Sequence, residues 1–212
     1  ILAGHFSSSV NCIAWHPNAN YVLTAADDKT ARMWDIQTGK CVRLLNGAGA
    51  GLNGVKVCPT GRYAAASDYG GTVHIWDLGS GRKVNELRHT VGGGGGGTAA
   101  AAVQSMSYSA CGTALATGGD DCTVRIWDVR GAGSHLSNPE YAKSQGYGES
   151  SALSASLPSE SQLARRPIGE RFRYGAREPV NMFRTRRTVL LDLHYTKRNL
   201  LLGCGKVVGK GG

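Results

Sequence analysis

Nowhere in this chain of 212 residues do 18 apolar residues follow one another, so no stretch is long enough to cross a bilayer as a helix, and no membrane contact is expected. There is no C-x-x-C pair and no Cys/His cluster at zinc-ligand spacing. The six cysteines, Cys12, Cys41, Cys58, Cys111, Cys122 and Cys204, stand singly and read as reduced, mostly packed thiols of an intracellular protein. Helix-forming stretches are scarce. The glycine run Gly92 to Gly97 is followed by neither a lysine nor a helix start, which excludes a phosphate-binding loop. Asp27-Asp28 and Asp120-Asp121 lack the spacing of a calcium loop and read as turn residues. No metal and no cofactor are expected. The sequence opens at Ile1, inside a pattern and without Met, and reads as a fragment of a longer protein.

What the chain has in quantity is glycine, 31 residues or about twice the usual share, beside an apolar fraction of 41% that suffices for a core. Both fit many short strands joined by turns. One stretch recurs three times: TAADDKTARMWD from Thr24 to Asp35, ASDYGGTVHIWD from Ala66 to Asp77, and TGGDDCTVRIWD from Thr117 to Asp128. Each is a short apolar run, a turn rich in Gly and Asp, and a β-branched run closed by Trp-Asp. Trp34, Trp76 and Trp127 fall 42 and 51 residues apart, the longer interval holding the glycine-rich insertion. A repeat of about 40–45 residues closed by Trp-Asp is the mark of a β-propeller blade.

On this reading the fold is all-β, a partial propeller of three full blades and half a fourth. The blades span residues 1–46, 47–88 and 89–130, the third interrupted by Gly92 to Gly97. Residues 131–187 are Ser-, Gly- and Arg-rich and read as one long disordered insertion loop. Residues 188–208 give two strands of the last blade, TVLLDLHY and LLLGCG, with no Trp-Asp. The first strand, VNCIAW, is apolar at nearly every position, so both of its faces are expected to be buried between neighbouring blades.

Polar residues recur at fixed offsets from the tryptophan. The first unit has His5, Thr24, Asp28 and Trp34; the third has His89, Thr117, Asp121 and Trp127. An indole N–H can donate to the hydroxyl, the hydroxyl to imidazole, and imidazole to carboxylate. Buried, such a chain stabilises only when it is complete. A hydrolase triad uses the same groups, but a set present in two blades argues for structure, since an active site is needed once. The second unit has Ala48, Ala66 and Gly70 at the matching places beside Trp76, and is expected to rely on packing alone. Arg32, His74 and Arg125, two residues before each Trp, read as members of a charged rim or, in preference, as stem-packed side chains.

Charge is uneven. Residues 1–130 carry 11 basic and 9 acidic side chains, residues 131–212 carry 13 and 6. The excess gathers at Arg165, Arg166, Arg171, Arg173, Arg177, Arg184, Arg186 and Arg187, with Phe172, Tyr174 and Phe183 among them. Such a segment, residues 165–187, is a solvated loop, a dock for an acidic protein, or a nucleic-acid contact through phosphates and base stacking.

These motifs resemble the WD-repeat family of β-propellers. Three segments, residues 10–47, 58–87 and 183–205, are similar to the C-terminal propeller of the TFIID subunit 5 family. The last carries the more specific likeness: after a long insertion come Thr185, Thr188 and Leu193, then the tail motif Thr196, Lys197, Arg198, Asn199 and Leu200. The resemblance implies a ring of seven blades and a nuclear, non-enzymatic scaffold of TFIID or of the related SAGA coactivator. Such a scaffold holds other subunits, histone-fold subunits among them, and supports RNA polymerase II initiation. The polyglycine loop and the arginine-rich insertion depart from that pattern. The rival expectation is a WD-repeat scaffold or substrate receptor of another complex, in ubiquitin ligation or splicing.

Overall fold

The computed structural model describes residues 2–5, 9–91, 99–129, 179–185 and 188–207. Every regular element among them is a strand. The first sheet holds β1 (Val10–Trp15), β2 (Tyr21–Ala26), β3 (Ala31–Asp35) and β4 (Cys41–Leu45). The second holds β5 (Leu52–Val57), β6 (Tyr63–Asp68), β7 (Thr72–Asp77) and β8 (Lys83–Arg88). A two-stranded ribbon, β9 (Thr90–Val91) with β10 (Ala99–Ala100), flanks the glycine run, which itself lies outside the described residues. The third sheet is β11 (Val103–Tyr108), β12 (Ala114–Gly119), β13 (Thr123–Asp128) and β14 (Asn181–Arg184). The last pairs β15 (Thr188–Tyr195) with β16 (Leu201–Val207). All pairings are antiparallel and follow chain order, so these are three four-stranded blades and a two-stranded fourth of a partial propeller.

Turn chemistry fixes this plan. The first two strands of each blade are joined by a turn with one residue in the left-handed region: Ala19 (φ 59°), Gly61 (73°), Gly112 (71°) and Asn199 (57°). The turn between second and third strands places another there: Lys29 (65°), Gly71 (76°) and Cys122 (55°). At Gly71 a side chain would also strike the Ala101 carbonyl, so only glycine fits. Antiparallel order puts the first–second and third–fourth turns of every blade at one rim and the second–third turns at the other.

The core lies between blades. Leu23, Ala25 and Met33 of the first cover Leu52 and Val55 of the second. Ala65, Val73 and Ile75 of the second cover Val103, Met106 and Tyr108 of the third, and Ala116 and Val124 cover Leu190 and Leu193. Amides clasp the first two junctions: Asn11 Nδ2 donates to the Leu52 carbonyl at 2.8 Å, and Asn53 Nδ2 to the Val103 carbonyl at 2.7 Å. At the third, Ser105 and Ser107 hydroxyls accept the Leu193 and Tyr195 amides at 2.8 and 2.9 Å.

Three expectations change. β1 is covered on one face only: Ile13 and Trp15 are 62% and 64% exposed, where their third-blade counterparts Met106 and Tyr108 are buried. An apolar sequence provides for a covering sheet but does not supply one, and no described sheet precedes β1. The insertion is not a loop throughout, because residues 181–184 pair with β13 as the outer strand of the third blade. Its arginines, apart from exposed Arg184, lie outside the described residues, as do Phe172 and Tyr174. Finally, all six cysteines are free, but only Cys58 is buried and Cys41, Cys111 and Cys204 are exposed.

Candidate functional site

In the first blade four residues from four places meet. Trp34 Nε1 donates to Thr24 Oγ1 at 2.9 Å, Thr24 Oγ1 lies 2.6 Å from His5 Nε2, and His5 Nδ1 lies 2.9 Å from Asp28 Oδ2. A neutral His5 with its proton on Nδ1 satisfies every link. Asp28 Oδ1 accepts the Thr30 amide and hydroxyl at 3.0 and 2.6 Å. Burial works to raise the Asp28 pKa, yet the bonds from Thr30 and His5 outweigh it and hold the carboxyl below its ordinary range. Arg32 Nη2 stands 3.9 Å from the same Oδ2.

The third blade begins identically. Trp127 Nε1 donates to Thr117 Oγ1 at 2.8 Å, and His89 Nε2 lies 2.5 Å from that oxygen, despite the glycine insertion next to His89 in the chain. Backbone bonds seat His89, its amide to the Gly71 carbonyl and its carbonyl to the Ala101 amide. Asp121 Oδ1 again takes the amide and hydroxyl of a threonine, Thr123. The last link differs. His89 Nδ1 is 3.9 Å from Asp121 Oδ2, beyond a hydrogen bond, and buried Arg125 takes that oxygen at 2.7 Å. Burial, reinforced by the Arg125 charge and opposed by Asp121, pushes the His89 pKa down to about 3.

The second blade does not rely on packing alone. Asp68, two places earlier than the aspartates of the other blades, is buried; its Oδ1 accepts the Thr72 amide at 2.8 Å and its Oδ2 meets His74 Nε2 at 2.9 Å. Glu86 lies 3.5 Å from His74 Nδ1. Lacking a hydroxyl at Ala66, Trp76 Nε1 donates instead to the Asn46 carbonyl at 3.0 Å. Sequence reasoning missed this set. The signal was His74 at the place of Arg32 and Arg125. Those three side chains are not merely stem-packed: all three reach their blade's carboxylate.

The tail motif is the turn between β15 and β16. Thr196 and Leu200 exchange backbone and hydroxyl bonds, with Leu200 N donating to Thr196 Oγ1 at 3.1 Å. Asn199 holds the left-handed place, and its Oδ1 accepts the Ala110 amide of the third blade at 3.1 Å. Lys197 and Arg198 are exposed at the tip. Among the described residues no three His, Cys, Asp or Glu side chains group to hold a metal ion.

Stacked antiparallel sheets with cores between them, each four-stranded sheet carrying a buried Trp followed by Asp at the end of its third strand, define propeller blades. The family profile of the WD domain, G-beta repeat, matches residues 1–35, 39–77 and 89–128. The chain belongs to the WD-repeat family. Over 92% of its length it is 29% identical to transcription initiation factor TFIID subunit 5 of Caenorhabditis elegans, of which it spans 26%. It is 30% identical to nuclear distribution protein PAC1 of Arthroderma otae over 61% of the chain and 33% of that protein. To small ribosomal subunit protein RACK1y of Oryza sativa subsp. japonica it is 31% identical, over 63% of the chain and 38% of that protein. The chain thus spans well under half the length of each of these relatives.

Proposed function

We propose that this chain is a nuclear, non-enzymatic scaffold of the general transcription factor TFIID, or of the SAGA coactivator, that supports RNA polymerase II initiation by holding other subunits, histone-fold subunits among them. The observation that carries this reading is the reach of one alignment. Similarity to the TFIID subunit extends over 92% of the chain, against 61% and 63% for PAC1 and RACK1y. The two polar sets, His5-Thr24-Asp28-Trp34 and His89-Thr117-Asp121-Trp127, act in this reading as fasteners. Each hydroxyl is buried and engaged by an indole, which suits a strut better than a nucleophile. Asn199 fastens the last blade to the third.

Affinity purification of the tagged full-length protein from nuclear extract, followed by mass spectrometry, tests this. TFIID or SAGA subunits are expected as the main co-purifying proteins. Recovery mainly with ribosomal small subunits, a ubiquitin ligase or the splicing machinery would overturn it and favour a scaffold of another assembly.

A further inference from the structure

We propose that the rim formed by the first–second and third–fourth turns of the blades is a docking surface for an acidic protein segment. This holds whichever assembly the chain enters. The turns bring exposed cations from three blades to one rim: Lys40 between β3 and β4, Arg82 between β7 and β8, and Lys197 and Arg198 between β15 and β16. That the last pair shares the rim follows from Asn199, which bonds the Ala110 amide in the β11–β12 turn.

Two carboxylates of the same rim, Asp35 and Asp77, are engaged within it, and Glu86 on β8 is engaged too. Asp35 Oδ1 accepts the Gln37 and Thr38 amides of its own turn at 2.8 and 3.3 Å. Asp77 accepts the Ser80 amide at 2.9 Å and pairs with Arg62 at 3.2 Å. Burial works to raise the Asp77 pKa, but these bonds prevail and hold it below the ordinary range, so it stays ionised and turned into its turn. Glu86 is held by Lys83 at 2.5 Å. Among the described residues, Lys40, Arg82, Lys197 and Arg198 have no carboxylate within 4.0 Å. On the other rim Asp28, Asp68 and Asp121 are turned into their blades, exposed Asp27 and Asp120 are held by Asn11 and Gln104, and the exposed cations are Lys29, Arg88, Arg184 and Lys206.

A protein partner fits better than a nucleic acid. The cations sit on separate turn tips rather than along one track that follows a phosphate backbone. Beside Lys40 lies Ile36, 41% exposed, which offers an apolar foothold of use to a polypeptide.

Fluorescence anisotropy with labelled polyglutamate and with labelled duplex DNA, at two salt concentrations, tests the assignment on the whole chain. The variants are Lys40→Glu, Arg82→Glu, Lys197→Glu and Arg198→Glu combined, and as control Lys29→Glu, Arg88→Glu and Arg184→Glu combined. Polyglutamate should bind the parent and the control alike, weaken with salt, and lose about tenfold or more in affinity to the four-site variant. If charge reversal prevents folding, the same four positions changed to Gln replace it, with an unchanged melting temperature as the check. Equal loss in the control, no loss in the four-site variant, or no binding by the parent overturns the proposal. So does tighter binding of DNA than of polyglutamate with the same four-site loss.

Discussion

The first and third blades carry the same four residues, with Thr and Asp at the same offsets from Trp and only His set further back in the third, yet their carboxylates choose different partners. In both, one oxygen is fixed by a threonine, Thr30 or Thr123, and the Trp–Thr–His half of the chain is nearly superposable in its distances. The other oxygen goes to His5 in the first blade, with Arg32 at 3.9 Å, and to Arg125 in the third, with His89 at 3.9 Å. Spacing therefore decides which groups come within reach, and shifts of about an ångström decide which of them bond. The second blade obeys the same rule with other residues: Asp68 gives one oxygen to Thr72 and the other to His74, which occupies the arginine's place.

The largest effect should come from removing the carboxylates. Asp121→Ala takes the nearest anion from a buried guanidinium and should cost about 3–5 kcal/mol. Asp28→Ala removes a partner of a neutral imidazole and should cost about 1–3 kcal/mol. Asp68→Ala, buried as it is, should cost at least as much as Asp28→Ala. Urea unfolding of the three variants measures this, and a greater loss for Asp28→Ala than for Asp121→Ala would break the comparison.

Acid should separate the blades next. His89 titrates near pH 3 in the folded chain and near pH 6.5 when unfolded, so between these values the unfolded state binds the extra proton. Stability from this residue is complete above about pH 6.5 and falls as pH drops, by about 2 kcal/mol at pH 5. In His89→Gln that part of the decline should vanish. Asp28, whose pKa is lowered, gives stability that is present above its ordinary carboxylate value and lost only below it, as pH falls through the folded value. Parent and variant denaturation curves with the same slope between pH 5 and pH 6.5 would contradict the assignment.

A smaller and equal effect is expected where the blades agree. Thr24→Val and Thr117→Val each leave a buried indole N–H unmatched and should each cost about 1–3 kcal/mol. Unequal midpoints would show that the shared half of the chain is not equivalent. Least of all should Trp15→Phe alter stability, because the side chain is 64% exposed, while Trp34, Trp76 and Trp127 are buried. Acrylamide quenching of the parent should reveal one accessible tryptophan, and the variant none.

The repeat was legible because each blade's turns are rich in Gly, Asp, Asn or Pro and each third strand ends in Trp-Asp. The first and third polar sets were legible for the same reason, as fixed offsets. What escaped had no pattern of its own. β14 is exposed at all four positions, so its strand exists through pairing with β13 rather than through an apolar alternation. Asp68 escaped because it moved two residues while its basic partner changed from Arg to His. The open face of β1 escaped because Val10, Ile13 and Trp15 read the same whether or not a neighbour covers them. In the tail, Thr196 and Asn199 were legible only as a likeness; the left-handed backbone and the bond to Ala110 give them their physical reason.

The amides Asn11 and Asn53 reach a main-chain carbonyl of the following blade and ask nothing of its side chains. A unit that carries such an amide can be set before a unit of quite different sequence and still fix its height along the axis. The repeat is in this sense a portable part. Whole blades can be duplicated or exchanged while the joint between them keeps its index, and their polar interiors are then free to diverge one by one.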